Sequence, residues 1–164
     1  TVPGVDMSTG SLGQGVSAAA GMALGAKQMG SDINVYTLLG DGEIQEGSVW
    51  EAAMSAAHHK LDNICAILDR NRLQIDGATE DVMALEPLAD KWKSFGWNVI
   101  DVDGHNHQEI KKALSDADEK KGVPSIIIAN TIMGKGVPEI ENDNRWHGKV
   151  PSKEQVLLWI KELL

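Results

Sequence analysis

Cysteine is nearly absent from this chain: Cys65 stands alone, which excludes an internal disulfide framework. It lies within the apolar run 64–69 and reads as a small core residue. No apolar run approaches the length of a membrane span, and nothing at the start resembles a signal peptide. Positive charge is scarce too, with 15 Lys and Arg against 24 Asp and Glu, a net charge of −9. No Lys/Arg cluster forms a basic arm, which argues against nonspecific nucleic-acid binding. These absences predict a cytoplasmic protein with neither a membrane nor a nucleic acid as partner. An anionic ligand would also meet repulsion here unless a cation bridged it.

What remains is ordinary for one globular domain: 164 residues, 42% hydrophobic and 24% charged. Two short apolar runs stand out. Residues 34–39 lead into Gly40-Asp41-Gly42, and residues 64–69 lead into Asn71, thirty positions beyond Asp41. Each run reads as a buried strand, and in an open parallel sheet ligands bind at strand carboxyl ends. Asp41 and Asn71 offer hard oxygen ligands with no Cys or His beside them, which suits Mg²⁺ or Ca²⁺ rather than Zn²⁺. Gly40 and Gly42 let the backbone turn sharply and approach a bulky anion. The plainer alternative is that Asp41 caps the next helix and Asn71 closes a turn.

Further along, the pattern alternates. Helices are expected over 12–29, 47–60, 87–95 and 107–120, and strands over 34–39, 64–69, 98–103 and 125–130. Residues 71–86 read mostly as loop. Asn106 with Glu109, and Ser152 with Gln155, have capping-box spacing, the second pair opening a final helix that ends at Leu163-Leu164. Val49, Ala53, Ala56 and Ala57 share one side of the second helix. The Ala/Gly-rich stretch 15–25 and that helix are expected to present close-packing faces to another chain. Alternation of strand and helix predicts an α/β fold, a parallel sheet with crossover helices.

Two glycine clusters fail as nucleotide loops. Gly10-Ser-Leu-Gly-Gln-Gly15 has the wrong order for a dinucleotide fingerprint, and Gly134-Lys-Gly136 lacks the spacing of a phosphate loop. Free amides at Gly42 and Glu43, ahead of the helix near Gly47, could meet a diphosphate. His58, His59, His105 and His107 carry no recognisable metal or catalytic pattern.

Gly40-Asp41-Gly42 followed by Asn71 resembles the thiamine diphosphate-binding motif. Ser8 to Gly15, Gly40 to Gly47, Asp69 to Gly77, Thr131 to Gly136 and Asn142 to Gly148 follow in the order found in transketolases. The resemblance covers essentially the whole chain, and it is strongest to the short N-terminal subunits of bacterial split transketolases. It implies a thiamine diphosphate-binding (PP) domain over residues 1–164 that uses thiamine diphosphate and Mg²⁺ in ketol transfer between sugar phosphates. The metal ligands implied are Asp41, Asn71 and the main-chain carbonyl of Leu73. Gly10 and Leu12 would border the cofactor's aminopyrimidine, Gly42 and Glu43 would lie at its diphosphate, and Ile75 would pack near it. Glu46 resembles the acidic residue linking two active sites, though it could equally serve a helix dipole. His147 would contact diphosphate and sugar; otherwise it is a loop histidine beside Trp146. The family also implies an upstream helical part with a further His, a homo-oligomer, and a pyrimidine-domain partner subunit. Rival readings are a non-catalytic cofactor-binding or assembly subunit, or another thiamine diphosphate enzyme such as a deoxyxylulose phosphate synthase.

Overall fold

The computed structural model describes residues 3–163, with side chains to residue 161. Four parallel strands form the sheet: β1 (Val35–Gly40), β2 (Ile64–Arg70), β5 (Asn98–Asp103) and β6 (Ser125–Asn130), in spatial order β1-β2-β6-β5. Their bounds agree with the apolar runs to within a residue. β6 is buried from Ser125 to Ala129, as expected of a strand covered on both faces. Around the sheet lie α1 (Gln14–Gln28), α2 (Gly47–His58), α3 (Thr79–Val82), α4 (Leu88–Ser94), α5 (His107–Glu119) and α6 (Lys153–Leu163). Leu164, expected to close α6, lies outside the described residues.

One face of the sheet carries the larger core. Ala66, Leu68, Ile126 and Ile128 pack there against α1, α2 and α4, with Trp92 fully buried. Trp92 meets Trp50 at 5.0 Å and Trp97 at 4.9 Å between ring centroids. The opposite face is thinner, with Cys65, Ile127 and Ala129 against Ala113 and Ala117 of α5. Asn106 caps α5 by accepting from the N–H groups of Gln108 and Glu109. Ser152 and Gln155 make both reciprocal bonds of a capping box, at 2.8 and 3.2 Å.

One feature differs from the sequence reading. Residues 71–86 hold a hairpin, β3 (Leu73–Gln74) paired antiparallel with β4 (Gly77–Ala78), and the single turn of α3. Two-residue strands leave no periodicity to read, and the hairpin forms because Gly77 supplies φ +142°. The small-residue ridges of α1 and α2 pack on each other inside the chain: Val16, Ala19, Ala20 and Ala23 share a cluster with Val49, Ala52, Ala53 and Ala56. Gly21 and Gly25 of α1 face open space. β1 is one of the two outer strands among the described residues, and Tyr36 and Leu38 point away from the larger core, 47% and 72% exposed.

No helix among the described residues is long and apolar enough to cross a membrane.

Candidate functional site

The carboxyl ends of the strands gather the sequence motifs onto one rim. Parallel pairing aligns Gly40 with Asp69, so Asp41 and Arg70 leave neighbouring strands at the same level. Asp41 is 2% exposed. Its Oδ2 accepts from the Arg72 amide and lies 3.2 Å from Arg70 Nη1. Its Oδ1 is buried and has no hydrogen-bond partner among the described residues. Burial pushes the Asp41 carboxyl upward, and Arg70 and the Arg72 N–H only partly oppose that. A buried, unpartnered carboxylate oxygen costs free energy, so it marks where a cation would be accepted.

Asn71 begins the next loop. Its Oδ1 accepts from Leu73 N at 2.9 Å, and its Nδ2 donates to Asp69 Oδ2 at 3.2 Å. The turn-closing role therefore holds for Asn71, while its amide oxygen keeps a second lone pair. Arg72 takes φ +67°, a left-handed conformation that aims its N–H at Asp41. Among the described residues no group of three or more His, Cys, Asp and Glu could hold a metal.

The first glycine motif docks directly on this turn. Glu43 accepts from Gly13 N at 3.0 Å and Gly40 N at 3.2 Å, so its carboxylate staples two motifs together. Ser48 donates to Gly13 O at 3.2 Å. Gly13 has φ +79°, and a Cβ there would fall 2.5 Å from Ser48 Oγ and 2.8 Å from Glu46 Cβ, so only glycine fits. Glu46 is exposed, at the N-cap of α2, and makes no side-chain capping bond. Gly42 lies under the hairpin, a Cβ there standing 3.2 Å from Gln74 Cβ.

Gly10 is exposed, as are Leu12 and Ile75, at 51% and 69% for the two apolar side chains. Asn144 Nδ2 donates to Ile75 O at 2.9 Å, tying the segment 142–148 to the hairpin. His147 follows a short 3-10 turn (Asn144–Trp146), exposed. No hydrogen bond joins its ring to Asp41, Asn71 or Glu43 among the described residues. His105, assigned no chemistry from sequence, accepts from Ile132 N at 2.8 Å and so anchors the start of the 131–136 motif.

Arg70 is the residue that sequence reasoning missed. Only 2% exposed, its guanidinium reaches Asp41, Glu86 at 2.8 Å, Thr79 Oγ1 at 3.0 Å and Glu80 at 3.2 Å. Burial pulls its pKa down, and Glu86, Asp41 and Glu80 more than reverse this, leaving it raised. The available signal was a charged residue inside a buried strand, which needs acidic partners.

The family described as "Transketolase, thiamine diphosphate binding domain" matches residues 1–163. The chain belongs to the transketolase family. Among transketolase relatives, one of the subunits of the apulose-4-phosphate transketolase of Phocaeicola vulgatus is 44% identical over 162 residues, 99% of this chain and 58% of that protein. The 6-deoxy-6-sulfo-D-fructose transketolase subunit SqwG of Clostridium sp. is 47% identical over 160 residues, 98% of this chain and 58% of that protein. The chain thus spans less than two thirds of the length of these relatives. The crystal structure of Campylobacter jejuni transketolase superposes with a TM-score of 0.82 at 38% identity, over 87% of this chain and 23% of that one. The parallel α/β fold is that of transketolases.

Proposed function

We propose that this chain is the cofactor-anchoring part of a split transketolase that moves a two-carbon ketol unit from a ketose phosphate to an aldose phosphate. The observation that carries the reading is the orphaned, buried Asp41 Oδ1 at the end of β1, beside the Asn71 turn. Asp41 Oδ1, the Asn71 amide oxygen and the Leu73 carbonyl are the residues that would hold Mg²⁺, or Ca²⁺, with thiamine diphosphate completing its sphere. The turn at Gly42 and Glu43 would lie along the diphosphate. Gly10, Leu12 and Ile75 would border the rings, which would cover the exposed Leu12 and Ile75 side chains. The chemistry thiamine diphosphate supplies when bound is attack of its thiazolium carbon on a ketose carbonyl and storage of the electron pair freed on C–C cleavage.

The protein's own part is binding and orientation. Glu43 holds the Gly13 loop and the end of β1 in fixed relation. His147 would hydrogen-bond the diphosphate or the sugar, and Glu46 would link to a second active site. Relatives named as subunits of transketolases support a pyrimidine-domain partner, and a homo-oligomer would complete the shared site. Calorimetry of thiamine diphosphate with Mg²⁺ and with chelator tests the bridge, and equal affinity in both refutes it. Turnover is expected only with the partner subunit and the remaining length of the protein. A complete complex that binds cofactor yet never turns over would favour a non-catalytic binding subunit.

A further inference from the structure

Resting on the cation reading above, we propose that Arg70 is a positioning residue that couples occupancy of the Asp41 site to the order of residues 79–86 and the start of α4. The geometry gives Arg70 two sides. Toward the site, Nη1 stands 3.2 Å from Asp41 Oδ2, and with the Arg72 amide it claims that oxygen, so only Oδ1 is left to offer. Away from the site, Nη1 donates to Thr79 Oγ1 at 3.0 Å, and Nη2 donates to Glu80 at 3.2 Å and Glu86 at 2.8 Å.

Those carboxylates hold backbone in turn. Glu80 accepts from Leu85 N at 3.1 Å and Glu86 N at 3.4 Å, and Glu86 accepts from Leu88 N at 2.8 Å, where α4 begins. The segment has little apolar anchorage of its own: of residues 79–86 only Thr79 and Leu85 are buried, and Val82 and Met83 are 42% and 61% exposed. Its order therefore depends on the guanidinium. One guanidinium among three carboxylates leaves two negative charges, the complement of one divalent cation. A cation at Oδ1 draws electron density from Asp41 and repels Arg70, pressing the guanidinium onto Glu80 and Glu86. Only a planar fork with several donors can face Asp41 and both glutamates together, so lysine is not equivalent here.

The test is hydrogen exchange of the Leu85, Glu86 and Leu88 amides in the complete protein, with and without Mg²⁺ plus thiamine diphosphate, alongside calorimetry of the same probes. Loading is expected to slow these amides about tenfold in the wild type, within the usual range of coupling between sites. Arg70→Met removes both sides of the fork and should abolish the loading-dependent slowing. Arg70→Lys keeps the charge without the fork and should recover none of the coupling. Glu86→Gln cuts the far side only, so affinity should stay within about twofold while the slowing is lost. If Arg70→Met fails to fold, Arg70→Lys and Glu86→Gln decide. Wild-type binding without any slowing, or Lys and Met variants that bind and protect like wild type, overturns the coupling. Asp41→Asn isolates the underlying reading. If it binds the probes as tightly as wild type, the cation site is elsewhere, whatever the exchange pattern.

Discussion

Replacing Asp41 by Ala separates what this residue does for the fold from what it does for a cation. Without ligand, the change strips the acceptor from the Arg72 N–H, about 1–3 kcal/mol for one buried unsatisfied donor. Breaking a buried ion pair usually costs about 3–5 kcal/mol. Here Arg70 keeps Glu80, Glu86 and Thr79, so the guanidinium is not orphaned and that figure is an upper bound. The variant also removes a carboxylate that burial opposes and whose Oδ1 has no partner. We expect a net loss of about 1–2 kcal/mol in the ligand-free protein. With Mg²⁺ and thiamine diphosphate at a hundred times their dissociation constant, the wild type should gain about 2.7 kcal/mol. For a chain of this size that is a rise of about 5–10 °C in melting temperature. The variant should gain almost none of it. Thermal and urea melts, with ligands and with chelator, measure both quantities. An equal ligand-induced rise in the variant refutes Asp41 as the anchor, and an unchanged ligand-free stability refutes the account of Arg72.

Trp92→Ala should cost about 3–5 kcal/mol in urea unfolding, because a fully buried indole leaves a cavity between Trp50 and Trp97. Trp92→Phe should cost under half of that, since it keeps an aromatic ring and removes a buried N–H that has no partner among the described residues. Burial pushes the Cys65 thiol up to about 12, so it should resist thiol reagents at pH 8 until the protein is unfolded. Above pH 9 the unfolded thiol ionises while the folded one stays protonated, so the folded state binds more protons. Cys65 therefore draws stability down as pH rises from 9 toward 12, by up to about 1.4 kcal/mol per pH unit, a slope Cys65→Ala should remove. Asn106→Ala removes the one oxygen that accepts from two N–H groups at the start of α5 and should cost about 1 kcal/mol, with exchange at Gln108 and Glu109 rising first.

The sheet was legible because its strands are short apolar runs, of which β2 and β6 at its centre are covered on both faces. The run Ser125 to Asn130 reads as a buried strand by its length and β-branched residues, and its observed bounds agree. The placing of Asp41 beside the Asn71 loop followed from two strand ends and parallel pairing alone. The Glu43 amide is expected at a diphosphate, while its carboxylate has a separate part: it accepts from Gly40 and, across thirty residues, from Gly13, a bond that no local pattern displays. Arg70 escaped for a similar reason. Its partners Glu80 and Glu86 lie ten and sixteen positions on, across a hairpin too short to leave a period. The alanine ridges of α1 and α2 announced close packing correctly, but spacing does not say which helix lies opposite.

The outward side of β1 bears on how these residues behave when made by themselves. An outer strand carries a row of backbone donors and acceptors with no ladder beyond it, and here it also shows Leu38 to water. Such an edge templates the addition of a further strand, including one from an identical molecule. A recombinant product limited to residues 1–164 should therefore lose solubility with rising concentration. Leu38→Lys would act as a gatekeeper charge there without touching the buried face that Leu39 serves.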